Sequence, residues 1–121
     1  MDRGSLDLRP RGRVTVKSAA YECNVQDLYI DVDSSGGAVP ITLPNPAAAR
    51  GLTFIVKDTG GAAGANHITV TPKSGTIDGA GSLTLGHDYD SIIVYSDGSN
   101  YFCAGEYSSA LGSLPVYRLK E

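Results

Sequence analysis

The feature that most constrains this chain is its punctuation. Apolar residues come in short runs, and each run is closed by Gly, Asp, Asn, Ser or Pro before a helical face could develop. Asp33-Ser34-Ser35-Gly36-Gly37 and Asp97-Gly98-Ser99-Asn100 are two such breaks, the second with the composition of a hairpin turn. Residues 59–66 form a third, rich in Gly and Ala. Within the runs the apolar period is two. Leu28, Ile30 and Val32 point one way while Tyr29, Asp31 and Asp33 point the other. The same alternation sets Leu52, Phe54 and Val56 on one face of a strand over 52–58.

Further strands are expected at 14–18, 39–43, 67–71, 76–79, 82–85, 91–96 and 101–104. Pro40 cannot donate to a ladder, so its strand is expected at a sheet edge or starting after the proline. The one credible helical turn, from Pro46 to Gly51, is too short to stand as a helix. About eight short strands without a helix describe a small all-β module, a β-sandwich or jelly-roll-like fold or a related barrel. No internal repeat is evident. The organisation expected is a basic arm over 1–13, a sandwich-like domain over 14–105 and a C-terminal extension over 106–121. That extension carries Leu111, Leu114, Val116, Tyr117 and Leu119 without clean periodicity, as if to dock on something.

Composition bears on how such a module holds together. With 121 residues, no Trp, one Met and two Phe, the chain can bury only a modest core and gains from association. The run at 91–96 is apolar on both faces, which suits a central strand or a subunit interface. Ile92, Ile93 and Tyr95 are therefore the expected oligomer contacts. Charge is unevenly spread. Residues 1–17 hold five basic groups against two acidic, a net of +3, whereas 18–117 hold three basic against ten acidic, a net of −7. Arg3, Arg9, Arg11 and Arg13 make the arm the expected partner-binding segment, suited to an acidic surface. The acidic body has the wrong sign to bind nucleic acid directly. No apolar run is long enough to span a membrane, and the polar, Arg-rich start does not read as a secretion signal.

No pattern announces catalysis. His67 and His87 are the only histidines, each beside a turn, and neither Cys23 nor Cys103 has a base close by in sequence. The two cysteines form no CxxC pair. They read as separate buried thiols, with a disulfide left open. Asp31 with Asp33, and Asp88 with Asp90, are spaced to put carboxylates on one side of a strand, where a Ca²⁺ site could assemble. A solvated polar face is the simpler reading, so no metal and no cofactor are expected. Tyr29, Tyr89, Tyr95 and Tyr101 suit either sugar stacking or cross-strand aromatic pairs.

Read in order, a set of short segments carries a resemblance. It runs through Tyr29-Ile30-Asp31-Val32-Asp33, Gly36-Gly37-Ala38-Val39 and Ile41-Thr42-Leu43-Pro44. It continues with Gly51, Ile55-Val56-Lys57-Asp58, Gly60, Asn66-His67-Ile68-Thr69-Val70 and Thr76-Ile77-Asp78-Gly79, and closes at Ser96-Asp97-Gly98-Ser99-Asn100-Tyr101. Together they resemble a β-rich module of bacteriophage tail-fibre, spike and other virion structural proteins. Where that module carries a Trp after the final turn, this chain has Tyr101. The resemblance implies a sandwich-like virion module, often a homotrimer, with no catalytic residues. A compact domain with a charged arm suits a decoration (cement) protein that contacts the major capsid protein and staples the shell. A tail-fibre or tail-spike appendage, with carbohydrate binding as a further option, is the alternative.

Overall fold

The computed structural model describes residues 13–111 and 116–119. Among them ten strands make up almost all the regular structure. These are β1 (Val14–Lys17), β2 (Tyr21–Glu22), β3 (Tyr29–Val32), β4 (Val39–Leu43), β5 (Thr53–Asp58), β6 (Ile68–Pro72), β7 (Leu83–Leu85), β8 (Ser91–Ser96), β9 (Tyr101–Ser108) and β10 (Val116–Leu119). A 3₁₀ turn at Ser109–Leu111 follows β9. The module is all-β, as the alternating pattern predicts.

The strands form a six-stranded sheet in the order β1-β3-β5-β8-β9-β10 and a four-stranded sheet in the order β2-β4-β6-β7. Up to β6 the chain alternates between the sheets, and neighbours within each sheet run parallel. Parallel neighbours need a long return, usually a helix. Here each return is a strand of the opposite sheet, so the first six strands wind as three turns of a flattened coil. From β7 onward every new pairing is antiparallel, and hairpins complete both sheets. Val14 aligns with Tyr29 and Tyr29 with Ile55, while Tyr21 aligns with Ile41 and Ile41 with Val70. These offsets are all unequal, which is why the winding leaves no repeat in the sequence.

The core lies between the sheets. Ile30, Val32, Phe54, Val56, Ile92, Val94 and Tyr101 come from the larger sheet, and Val39, Ile41, Leu43, Ile68, Val70 and Leu85 from the smaller. Tyr101, standing where a Trp was expected, is fully buried. It donates its hydroxyl to the Pro44 carbonyl at 2.6 Å and meets Phe54 edge-on. The first coil is different. Thr15 and Lys17 align with Ile30 and Val32, so polar side chains occupy the inward row. Such a polar end is how stacked coils are closed. The buried Asp27 carboxylate organises it, accepting from Tyr21 Oη at 2.6 Å, Thr15 Oγ1 at 2.7 Å and the Asn24 N–H at 2.9 Å.

Three expectations change. Pro40 lies inside β4, which has neighbours on both sides. The ladder tolerates it because β2 begins only opposite Ile41, so the proline aligns with Thr69 of β6 on one side and needs no donor on the other. Residues 106–121 are not wholly an appendage. Positions 106–108 finish β9, and β10 pairs back along it as the sixth strand of the sheet. Around Ile77 there is no full strand, only single bridges to Ala80 and Tyr101.

Candidate functional site

Strand geometry sends alternate residues out of each sheet, and the two outer faces differ chemically. The four-stranded sheet turns Pro40, Thr42, Thr69, Thr71 and Thr84 outward, with Pro40, Thr71 and Thr84 exposed, Thr42 and Thr69 partly covered, and four of the five hydroxylated. Its hydroxyls are at home in water. The six-stranded sheet shows an apolar row. Val14, Tyr29, Ile55 and Ile93 lie side by side across β1, β3, β5 and β8. Beside them Tyr95 stacks on Phe102 with ring centroids 5.9 Å apart, and Val16 extends the face along β1. Val16 is 68% exposed and Val14 51%, with Tyr29 and Tyr95 also exposed. Four of the five exposed large apolar side chains of the described residues therefore share one face.

Charge on that face is sparse. Asp31 and Lys57 sit directly opposite each other in the second row, between Val16 and Ser91. Burial among apolar neighbours pushes the Asp31 carboxyl up. The Lys57 ammonium lies 4.4 Å over the Tyr107 ring and donates to the Tyr89 carbonyl at 2.6 Å. Burial holds its pKa below the ordinary lysine value, although Asp58 and Asp90 act in the opposite sense.

At the far end of β5 a second cluster is built around Asp58, whose carboxylate is fully buried. It accepts the N–H groups of Gly61 and Ala63 at 3.0 Å, of Ala62 at 3.4 Å and of Tyr89 at 2.9 Å. This ties the 59–66 loop to the loop before β8. Tyr89 itself takes a positive φ of 66°, and its ring lies over Gly61. Gly61 has φ 71°, and a Cβ there would come within 2.5 Å of the ring, so glycine is favoured both by its backbone conformation and by the ring above it.

The expected site residues separate. Ile93 and Tyr95 stand on the apolar face, but Ile92 does not. It is 5% exposed and points into the core, so it is a packing residue, because neighbours along a strand face opposite ways. Arg3, Arg9 and Arg11 lie outside the described residues. Arg13 approaches Asp27 at 3.5 Å, an intramolecular contact. Asp31, Asp33, Asp88 and Asp90 do not converge. Asp33 accepts from the Ser35 N–H and Asp90 from Gly86 and His87, each within its own loop, while Asp88 accepts from Gly64 and ties the loop before β8 to the 59–66 loop. Among the described residues no group of three His, Cys, Asp or Glu could hold a metal ion, and no helix is long and apolar enough to cross a membrane. Cys23 and Cys103 are both buried thiols outside any disulfide. Burial, and then the Asp27 charge, push the Cys23 thiol up to about 12, far from a nucleophile's value.

Sequence reasoning missed Val14, Val16, Ile55 and Phe102 as members of the apolar face. The signal available was that β5 and β8 are apolar at successive positions, which a one-faced strand has no reason to be. A cavity of about 90 Å³ opens beside β7, lined by residues that include Leu83, Asp90, Ile92, Glu106 and Tyr107. Ordinary ligand pockets enclose roughly 300–1,000 Å³, so this one is too small for a typical organic substrate. No family model matches the chain, and no curated protein matches it.

Proposed function

We propose that this protein is a non-enzymatic structural module of a bacteriophage particle, a capsid decoration protein that works as a symmetric oligomer bound to the shell. The observation that carries this reading is the contrast between the two outer faces. A contiguous apolar surface on one sheet, opposite a threonine-lined one, fits a module built into an assembly, since exposed apolar patches mark interaction sites. The ordered likeness of residues 29–101 to virion modules gives the assembly its identity. The basic arm gives it a contact for an acidic neighbouring protein, with the major capsid protein as the partner.

Exposed ion pairs are worth roughly 0.2–1 kcal/mol each, so an arm holds a shell only by repetition over many copies. Deleting residues 2–13 should leave a folded protein that no longer co-sediments with mature capsids. Binding of the intact protein should weaken as salt rises. Equal decoration by both forms would remove the arm from the reading. If neither form binds shells while both bind isolated tails or fibres, decoration fails and an appendage role replaces it.

A further inference from the structure

We propose that the apolar outer face of the six-stranded sheet is covered by the same face of a second copy of this chain. This names the partner of the surface on which the proposed function rests. Two observations select a second copy over another protein. The body carries a net −7 over 18–117, so identical copies repel through most of their surface. The apolar face is the exception, because its rows are uncharged apart from Asp31 and Lys57, which oppose one another and cancel. Like bodies meet there without setting like charges against each other. A partner chosen for an acidic module would instead be recognised by charge, and this face offers almost none.

Size supports the same conclusion. The five strands β1, β3, β5, β8 and β9 at about 4.8 Å and about five residues at about 3.3 Å give a face of roughly 24 by 17 Å, on the order of 400 Å². Two such faces bury about 800 Å² together, in the range of weak and transient contacts. The contact is therefore weak, and the oligomer should dissociate on dilution. The same face meeting itself is an isologous contact, which a twofold axis closes.

The test is mass by light scattering and sedimentation, on the full chain, from about 1 μM to about 1 mM, a span that would reveal even a millimolar contact. The expected result is a concentration-dependent dimer, and a trimer formed without a dimer would overturn the face-to-face contact. Ile93→Asp should raise the dissociation constant at least about tenfold by putting a charge in the contact. Tyr29→Glu, at a position already 40% exposed and so tolerated by the fold, should do the same. Thr71→Asp on the other sheet should leave association unchanged. A monomer at about 1 mM overturns the proposal, as does an oligomer that folded Tyr29→Glu protein still forms with undiminished affinity. Capsid binding is read separately. A monomer that decorates shells refutes this contact and the oligomeric part of the proposed function but spares the decoration role, while an oligomer that binds no particle refutes decoration and spares this contact.

Discussion

Replacing Asp27 with alanine tests whether the polar end of the coil is held by one carboxylate. The substitution strands the Tyr21 hydroxyl, the Thr15 hydroxyl and the Asn24 N–H, which sit 2.6 to 2.9 Å from the carboxylate. Hydrogen bonds to a charged group are worth about 1.5–3 kcal/mol each in a dry setting. Tyr21 and Thr15 are only half buried, so water entering the space recovers part of the loss. Arg13, at 3.5 Å and with a 36% exposed side chain, adds little. About 1–1.3 kcal/mol for each of three bonds gives a destabilisation of about 3–4 kcal/mol. For a domain of this size that lowers Tm by roughly 10–16 °C. Urea unfolding of the two proteins measures it, and a loss under about 1 kcal/mol would refute the argument.

The same carboxylate gives the prediction a pH signature. Burial works to raise the Asp27 pKa, but the bonds from Tyr21, the Asn24 N–H and Thr15, with the Arg13 charge, outweigh it and hold the carboxyl below the ordinary value. A group depressed in the folded state binds its proton more readily when unfolded, so its stabilisation is complete above the unfolded pKa of about 3.9. It is lost as pH falls through the folded value. The stability gap between wild type and Asp27→Asn should therefore be constant from pH 7 to about 5 and shrink below about 4. A gap of equal size at pH 3 would show that the charge is not its source.

Two further outcomes follow from the loop cluster and the thiols. Gly61→Ala must place a methyl group against the Tyr89 ring at a positive φ and should cost about 1–3 kcal/mol in chemical denaturation, whereas an unchanged midpoint would mean the ring moves aside freely. With its thiol pushed up to about 12, Cys23 should react with Ellman's reagent at pH 8 only as fast as the protein unfolds, and immediate labelling of Cys23 in folded protein would contradict that burial.

Much of the fold was legible because a period of two is a local property. Leu28 to Asp33 and Leu52 to Asp58 alternate, and the structure buries Ile30, Val32, Phe54 and Val56. Turn chemistry was equally readable, since Asp97 accepts the N–H groups of Ser99 and Asn100 within its own hairpin. Topology was not. Whether β3 meets β4 or β5 depends on where the chain returns, and nothing in residues 33–52 states that β4 belongs to the opposite sheet. The same gap hid the extent of β9, whose Glu106 looks like a tail residue until Arg118 is brought opposite it.

Ile92 and Ile93 show what separates a legible core from an illegible surface. In sequence they are the same residue in one apolar run, and either could face inward. Register decides between them: Ile92 aligns with the buried Val56, and Ile93 with Ile55 on the outer face. Inward placement is enforced by every neighbour at once, so a slip of one residue would turn Phe54 and Val56 to solvent. Nothing inside the molecule enforces an apolar choice at Ile93. Water would accept Thr there, as it does at Thr69 and Thr71 across the sandwich. On the proposal that this face meets a second copy, the isoleucine at 93, aligned with Tyr29 and Ile55, is explained by that contact, and the Ile93→Asp measurement decides whether it is.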